Sequence, residues 1–175
     1  MTFIIDGTAG ETFPDSSVQA TSALVAGRVP RSAMPVGSVV QTAYSTYSVM
    51  VSTTGTTPVT TGLSGSITPT STSNKVLVTF NIPSTRKPAG TNNCDMAFQI
   101  WRNGSSIVQP TTNFMFTGTS LNQTASFSYS YLDSPASTST LTYTIYFFDT
   151  QGSGGSIQVQ LDNTPSTIIL QEIAQ

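Results

Sequence analysis

The sequence predicts an all-β protein: an antiparallel β-sandwich of jelly-roll type with a short extended N-terminal arm. Three observations point there. Apolar residues recur with a period of two in one segment after another, the alternation of strands with one face in a core. The residue types suit a pleated, half-buried surface, with 30 Thr, 9 Phe, 6 Tyr and frequent Val and Ile, while Lys-, Glu- and Ala-rich helical stretches are nearly absent. No segment is long enough to supply helical crossovers between parallel strands, which leaves antiparallel connections. An up-and-down barrel is the alternative closure.

Residues 1–35 change character repeatedly and are taken as the arm. They hold the apolar run Phe3-Ile4-Ile5, a turn-like Asp6-Gly7-Thr8-Ala9-Gly10, then Glu11-Thr12-Phe13-Pro14-Asp15 and small residues through Gly27. The alternative there is one short helix from Ser16 to Ala26, capped by Asp15 or Ser16 and striped by Val18, Leu24 and Val25.

Residues 36–175 are the sandwich domain. Val36, Val39 and Gln41 lead to Tyr44, and Tyr47, Val49 and Val51 share one side of a second segment. Leu63, Gly65 and Ile67 precede a proline-marked strand end at Pro69. From Lys75 to Ile82, Val76, Val78 and Phe80 alternate with Leu77, Thr79 and Asn81, as in a central strand, and Arg86-Lys87-Pro88-Ala89-Gly90 reads as a polar loop. Met96, Phe98 and Ile100 form the next apolar face, and Asn103-Gly104 suits a type I′ hairpin turn that sends the chain back through Ile107 and Val108.

Phe114 to Phe116, then Phe127, Tyr129 and Tyr131, then Tyr143, Ile145 and Phe147, then Ile157, Val159 and Leu161 continue the alternation. The last segment, Ser166 to Ile173, is a nearly continuous apolar run and reads as a strand buried on both faces. The total is about ten strands, with no repeat that would indicate a solenoid or propeller.

Charged residues make up 8% of the chain, against about a quarter in an ordinary soluble domain. Hydroxyl groups from 30 Thr and 25 Ser must therefore wet the surface. The 37% hydrophobic content supplies enough apolar area to offset chain entropy. With a net charge of −2 and six scattered Lys and Arg, no basic face exists to hold phosphates, so nucleic acid is not an expected partner. The first 30 residues show no basic start followed by an apolar run, and no stretch approaches bilayer-spanning length, so neither a signal peptide nor a membrane span is expected. Cys94 is the single cysteine, which excludes an intrachain disulfide and predicts a buried free thiol.

The sequence carries little catalytic chemistry. It has no histidine, which removes Ser-His and Cys-His nucleophiles and the commonest zinc ligand. A glycosidase needs two carboxylates about 5–10 Å apart; Asp95, Asp133, Asp149 and Asp162 are the domain's candidates, and each falls near a turn where capping explains it. The run Asp149-Thr150-Gln151-Gly152-Ser153-Gly154-Gly155 lacks the lysine and helix of a phosphate loop and reads as a hairpin loop. Asn92, Asn93 and Asp95 are too few oxygen donors to indicate calcium. Trp101, Tyr129 and Tyr131 could stack on a sugar ring if exposed, but each falls in an alternating strand where core or subunit packing accounts for it. No catalytic residue, metal or cofactor is expected.

Glu11-Thr12-Phe13-Pro14-Asp15-Ser16-Ser17-Val18-Gln19-Ala20-Thr21 resembles a phrase, commonly Phe-Pro-Asp-Gly-Thr-x-Gln, that recurs in tail fibres and other surface proteins of tailed bacteriophages, notably marine and cyanobacterial ones. Ser16 stands where glycine is usual, so the local turn departs from the pattern. The stretches Met34 to Gln41 and Leu63 to Val78, with Ile100-Trp101-Arg102-Asn103-Gly104, look like the β domains of phage appendage and virion proteins.

The resemblance implies a homotrimer whose arm anchors it to the particle while the β domain projects outward. On that basis Phe3, Ile5, Phe13, Pro14, Asp15 and Gln19 are the expected attachment residues. Ile168, Leu170 and Ile173 are the expected trimer contacts, since three copies would shelter them about a common axis. The expected role is a non-enzymatic capsid decoration or cement protein on the virion surface, made in the host cytoplasm, with the major capsid protein or another virion protein as partner. The alternative is a short tail or head fibre whose distal domain binds a host-surface glycan.

Overall fold

The computed structural model describes residues 34–89, 93–152 and 154–175, together with the backbone of Glu11–Thr12 and Val18–Gln19. The strands are β1 (Glu11–Thr12), β2 (Val18–Gln19), β3 (Val39–Tyr47), β4 (Val51–Thr53), β5 (Val59–Ile67), β6 (Lys75–Lys87), β7 (Cys94–Arg102), β8 (Ser105–Thr117), β9 (Gln123–Asp133), β10 (Leu141–Phe148), β11 (Ile157–Val159) and β12 (Ser166–Ile173). A 3-10 turn spans Leu161–Asn163 between β11 and β12.

One layer runs β5-β10-β7-β8. The other runs β3-β12-β6-β9, with β11 and β4 extending it beside the far half of β6. Every ladder is antiparallel. Taking the eight principal strands in chain order, the layers read second-seventh-fourth-fifth and first-eighth-third-sixth. That path is the double Greek key of a jelly roll, as the alternation and turn spacing predict.

The core lies between the layers and is filled by the residues of each period-two face. Val76, Val78, Phe80 and Ile82 of β6 and Ile168 and Leu170 of β12 meet Met96, Phe98 and Ile100 of β7 and Tyr143, Ile145 and Phe147 of β10. Phe98 of one layer stacks on Phe127 of the other at 4.5 Å between ring centroids, and Phe114 meets Phe127 edge-on at 5.0 Å. Offset and edge-on ring pairs add about 0.5–1.5 kcal/mol each beyond the area they bury. Cys94 is a buried free thiol, as expected.

Several boundaries differ from the sequence-based expectation. β6 continues through Arg86 and Lys87, which had read as loop. Lys87 is fully buried, and its ammonium donates to the Thr117 hydroxyl and to the Thr119 carbonyl. The register shift between Ile82 and Thr85 absorbs Pro83, so the strand passes a proline that would otherwise end it. Val49 lies in the turn between β3 and β4, and Leu161 lies in the 3-10 turn. β12 is buried on one face only: Ser166, Ile168, Leu170 and Glu172 are interior, while Thr167, Ile169, Gln171 and Ile173 are half-buried on the outside. Within residues 1–35, β1 and β2 pair antiparallel, so Val18–Gln19 is extended and not helical; the rest of the Ser16–Ala26 segment lies outside the described residues.

Two glycines show what the turns demand. At the Asn103-Gly104 hairpin both residues have positive φ, 48° and 82°, as a type I′ turn requires. Gly62 sits at φ +82° where β5 bulges against β10, and a Cβ there would lie 2.2 Å from the Tyr47 ring. Gly62→Ala combines a backbone penalty with a clash and should cost about 3 kcal/mol or more. Gly104→Ala faces open space and should cost only about 1–2 kcal/mol for the conformation. Urea denaturation of both variants checks the order; equal losses would mean that the Tyr47 contact is not tight.

Candidate functional site

The buried charges are structural pins, and they set the shape of the surfaces. Glu172 follows the inward alternation of β12 and is fully buried. Its Oε1 accepts from the Thr70 amide at 2.7 Å, the Thr70 hydroxyl at 2.8 Å and the Asn74 amide at 2.7 Å, and its Oε2 accepts from Gln41 at 2.6 Å. No cation is among these partners. Burial pushes the Glu172 carboxyl up, but the hydrogen bonds from Asn74, Thr70 and Gln41 outweigh it and hold the group below its usual value. The carboxylate thus ties the loop after β5 to β3 and β12, beside the point where Gly37 and Ser38 exchange backbone hydrogen bonds with Ala174. A groove of about 470 Å³ lined by Met34, Thr70, Asn74, Ala174 and Gln175 opens there.

The four aspartates considered as catalytic candidates do not gather at one cleft. Asp95 is buried and accepts from the Thr150 amide at 2.9 Å, the Thr150 hydroxyl at 2.6 and 2.7 Å, and the Gln151 side chain at 3.2 Å. Asp149 is also buried and accepts from the Gln151 amide at 3.0 Å. Together they cap the start of the glycine-rich loop, as their positions near a turn suggest, and both are buried. Asp133 bridges the layers, accepting from Arg102 at 2.6 Å and from the Tyr143 hydroxyl at 2.7 Å. Burial, then the hydrogen bond to Asp133 and its charge, push the Tyr143 phenol well above its usual range. Asp162 is exposed in the 3-10 turn. Among the described residues, no group of three or more His, Cys, Asp or Glu side chains could hold a metal ion, and no helix is long and apolar enough to cross a membrane.

Two outward surfaces remain. The outside of β3-β12-β6-β9 carries an apolar path through rows of hydroxyls. Tyr44 is 64% exposed and pairs with Ile169, Leu132 is 46% exposed and pairs with Leu77, and Val39 is 44% exposed and pairs with Ile173. Between them, the Thr79 and Ser130 hydroxyls pair at 2.9 Å, and the Ser128 hydroxyl donates to Asn81 at 2.6 Å. On the outside of the other layer, Trp101 stacks on Tyr146 at 4.2 Å with 19° between the rings. The indole N–H donates to Gln99 at 2.7 Å, and the Gln99 amide donates to Gln109 at 2.7 Å.

The expected site residues fall in three places. Phe3, Ile5, Phe13, Pro14 and Asp15 lie outside the described residues, and of Gln19 only the backbone is described. Ile168 and Leu170 are fully buried inside the single subunit, so the sandwich itself shelters them and they are not available to a second chain. Ile173 is half-buried on the outer face beside Val39. Tyr129 and Tyr131 pack against the core, whereas Trp101 lies on the outer face. Glu172 was missed, although period two places it on the same side as Ile168 and Leu170; the donors that make it tolerable come from residues 98 to 131 positions away.

No protein-family model and no curated protein matches the chain. Among solved structures it is similar to one of the infectious bursal disease virus Gt strain, at 12% identity and TM-score 0.41 over 79% of this chain and 39% of that one. It is similar to T=1 particles derived from infectious bursal virus, at 12% identity and TM-score 0.41 over 95% and 42%. It is also similar to the insecticidal delta-endotoxin Cry8Ea1 of Bacillus thuringiensis, at 16% identity and TM-score 0.36 over 71% and 19%. The chain thus spans about two fifths of the length of these viral chains. Likenesses this distant assign no function, and the jelly-roll path rests on the strand order itself.

Two pH responses follow from the pins. The lowered Glu172 carboxyl contributes stability that is present above its ordinary value of 4.5 and is lost as pH falls through the lower folded value. Glu172→Gln, which turns a donor toward donors, should cost about 1–3 kcal/mol at pH 7 and flatten the acid limb of the stability profile. At the other end, Tyr143 keeps its proton when folded where the unfolded chain releases it. Its contribution is full below pH 10.0 and drains away above that, so Tyr143→Phe should be less sensitive than the parent between neutral and strongly alkaline pH. Melting temperatures across pH would refute both assignments if the variants followed the parent curve.

Proposed function

We propose that this chain is a non-enzymatic structural protein of a tailed-bacteriophage particle, a capsid decoration or cement protein that acts as a homotrimer. Its arm attaches to the major capsid protein or another virion protein, and its jelly roll faces outward. The phrase around Phe13-Pro14-Asp15 and the virion-like stretches in the domain support the assignment by resemblance.

The observation that carries self-association is the outer face of β3-β12-β6-β9. Association there would bury Tyr44, Ile169, Leu77 and Leu132, worth about 25 cal/mol per Å² of apolar surface removed from water. Burying unpaired polar groups usually erodes that gain. Here the Thr79–Ser130 and Ser128–Asn81 pairs are already closed, and the charges in the paired rows, Lys75 and Arg86, stand at the two ends of β6. A second copy of the same chain presents an equally charge-poor surface, so contact centred on the apolar path buries no charge. This face replaces the Ile168 and Leu170 contacts that the sequence alone suggested.

Sedimentation analysis should find a trimer at micromolar concentration, and Tyr44→Glu with Leu132→Glu should convert it to a folded monomer of unchanged strand content. Removal of residues 1–34 should leave a folded trimer that no longer decorates particles. A monomeric parent protein, or normal decoration by the shortened chain, would overturn the corresponding half of the proposal.

A further inference from the structure

We infer that the outer face of β5-β10-β7-β8 is a binding site for a neutral saccharide, built on Trp101 and Tyr146. The inference goes beyond the decoration role and is independent of it, because a decorating subunit and a fibre subunit can each display such a face. Core packing does not account for Trp101: its strand neighbour Ile100 is fully buried and points inward, while Trp101 stands on the solvent side. The indole is nonetheless held in place. Tyr146 stacks beneath it at 4.2 Å, and Gln99 fixes its N–H at 2.7 Å.

The polar groups around the rings form an oriented relay. Trp101 donates to the Gln99 carbonyl oxygen, and the Gln99 amide donates to the Gln109 carbonyl oxygen. Gln109 is exposed and its carbonyl oxygen is taken by Gln99, which leaves its NH₂ group as the donor at the end of the chain of bonds. The register places Thr144 beside Trp101 and Thr60 beside Tyr146, which adds hydroxyls at the margin of the rings. None of these six side chains carries a charge.

The ligand chemistry follows from that combination. An anionic or cationic partner would find no counter-charge. A purely apolar partner would cover the relay and leave amide groups without water or a partner, at about 1–3 kcal/mol per group. A pyranose has an apolar C–H face that can lie on an aromatic ring and a rim of hydroxyls that can meet amides and threonines, so it satisfies both parts of the surface. Because the ring pair and the relay hold their orientation without ligand, little side-chain freedom is lost on binding.

Trp101 is the single tryptophan of the chain, so its emission reports this face and nothing else. The full-length protein is screened on an array of neutral hexose, deoxyhexose and N-acetylhexosamine oligosaccharides, and hits are titrated by tryptophan fluorescence and calorimetry. At least one neutral glycan should give a saturable emission change with a Kd of about 1 mM or below. Gln109→Ala, an exposed change that leaves the fold intact, should weaken that binding about tenfold. Trp101→Ala should abolish it by calorimetry. The inference is overturned if no neutral glycan on the array binds, if Gln109→Ala and Trp101→Ala leave affinity unchanged, or if charged glycans bind as well as neutral ones. Particle decoration by the Trp101→Ala protein should stay normal, so failure of the glycan site and failure of the decoration role are read separately.

Discussion

The two layers hold together because one face of each is apolar and neither can be left in water. Phe80 and Phe127 from one sheet and Phe98 and Phe114 from the other form the middle of that contact, with Ile168, Leu170, Ile145 and Phe147 around them. Everything outward-facing is defined by this choice, since a shift of one residue in any strand would exchange its inner and outer rows. The bulges at Gly62 and Pro83 keep the rows in phase where the sequence would otherwise break them.

Into this apolar layer the protein admits a few charges, each surrounded before it is buried. Glu172 is enclosed by neutral donors from β3 and the loop after β5, Asp95 by Thr150 and Gln151, and Asp133 by Arg102 and Tyr143. A chain with so few charged residues places three of its acids where they fasten loops to strands or one sheet to the other. Spending carboxylates inside leaves the outside to hydroxyls, amides and rings. That distribution is why the two outer faces differ from an ordinary soluble surface.

The two faces divide the work by chemistry. The side of β3-β12-β6-β9 has an apolar path and closed hydroxyl pairs, so it gains by becoming dry. The side of β5-β10-β7-β8 has a fixed ring pair and a relay that ends in an open donor, so it gains by meeting a partner with its own hydrogen bonds. The proposed association and the proposed saccharide site therefore use separate faces.

Much of the fold is legible in the chain because its signals are local. Alternation marks β5, β6, β7, β9 and β10, and Asn103-Gly104 specifies a turn whose two residues both need positive φ. The apolar character of β12 is equally plain, yet whether Ile168 and Leu170 face a neighbouring subunit or the other sheet of their own is a question of distance in space. The sandwich answers it with the intrachain partner, because β5 of the other layer already lies against that face, with Gly65 beside Ile168 and Leu170. Lys87 and Glu172 look like strand-end charges for the same reason: the groups that satisfy them, Thr117 and Thr119 for one and Gln41, Thr70 and Asn74 for the other, are brought close only when the strands assemble. Period, composition and turn chemistry belong to the sequence by itself; which polar group meets which, and which ring is left outside, belong to the tertiary structure, since hydrogen bonds and stacking act over a few ångströms between residues that the chain keeps far apart.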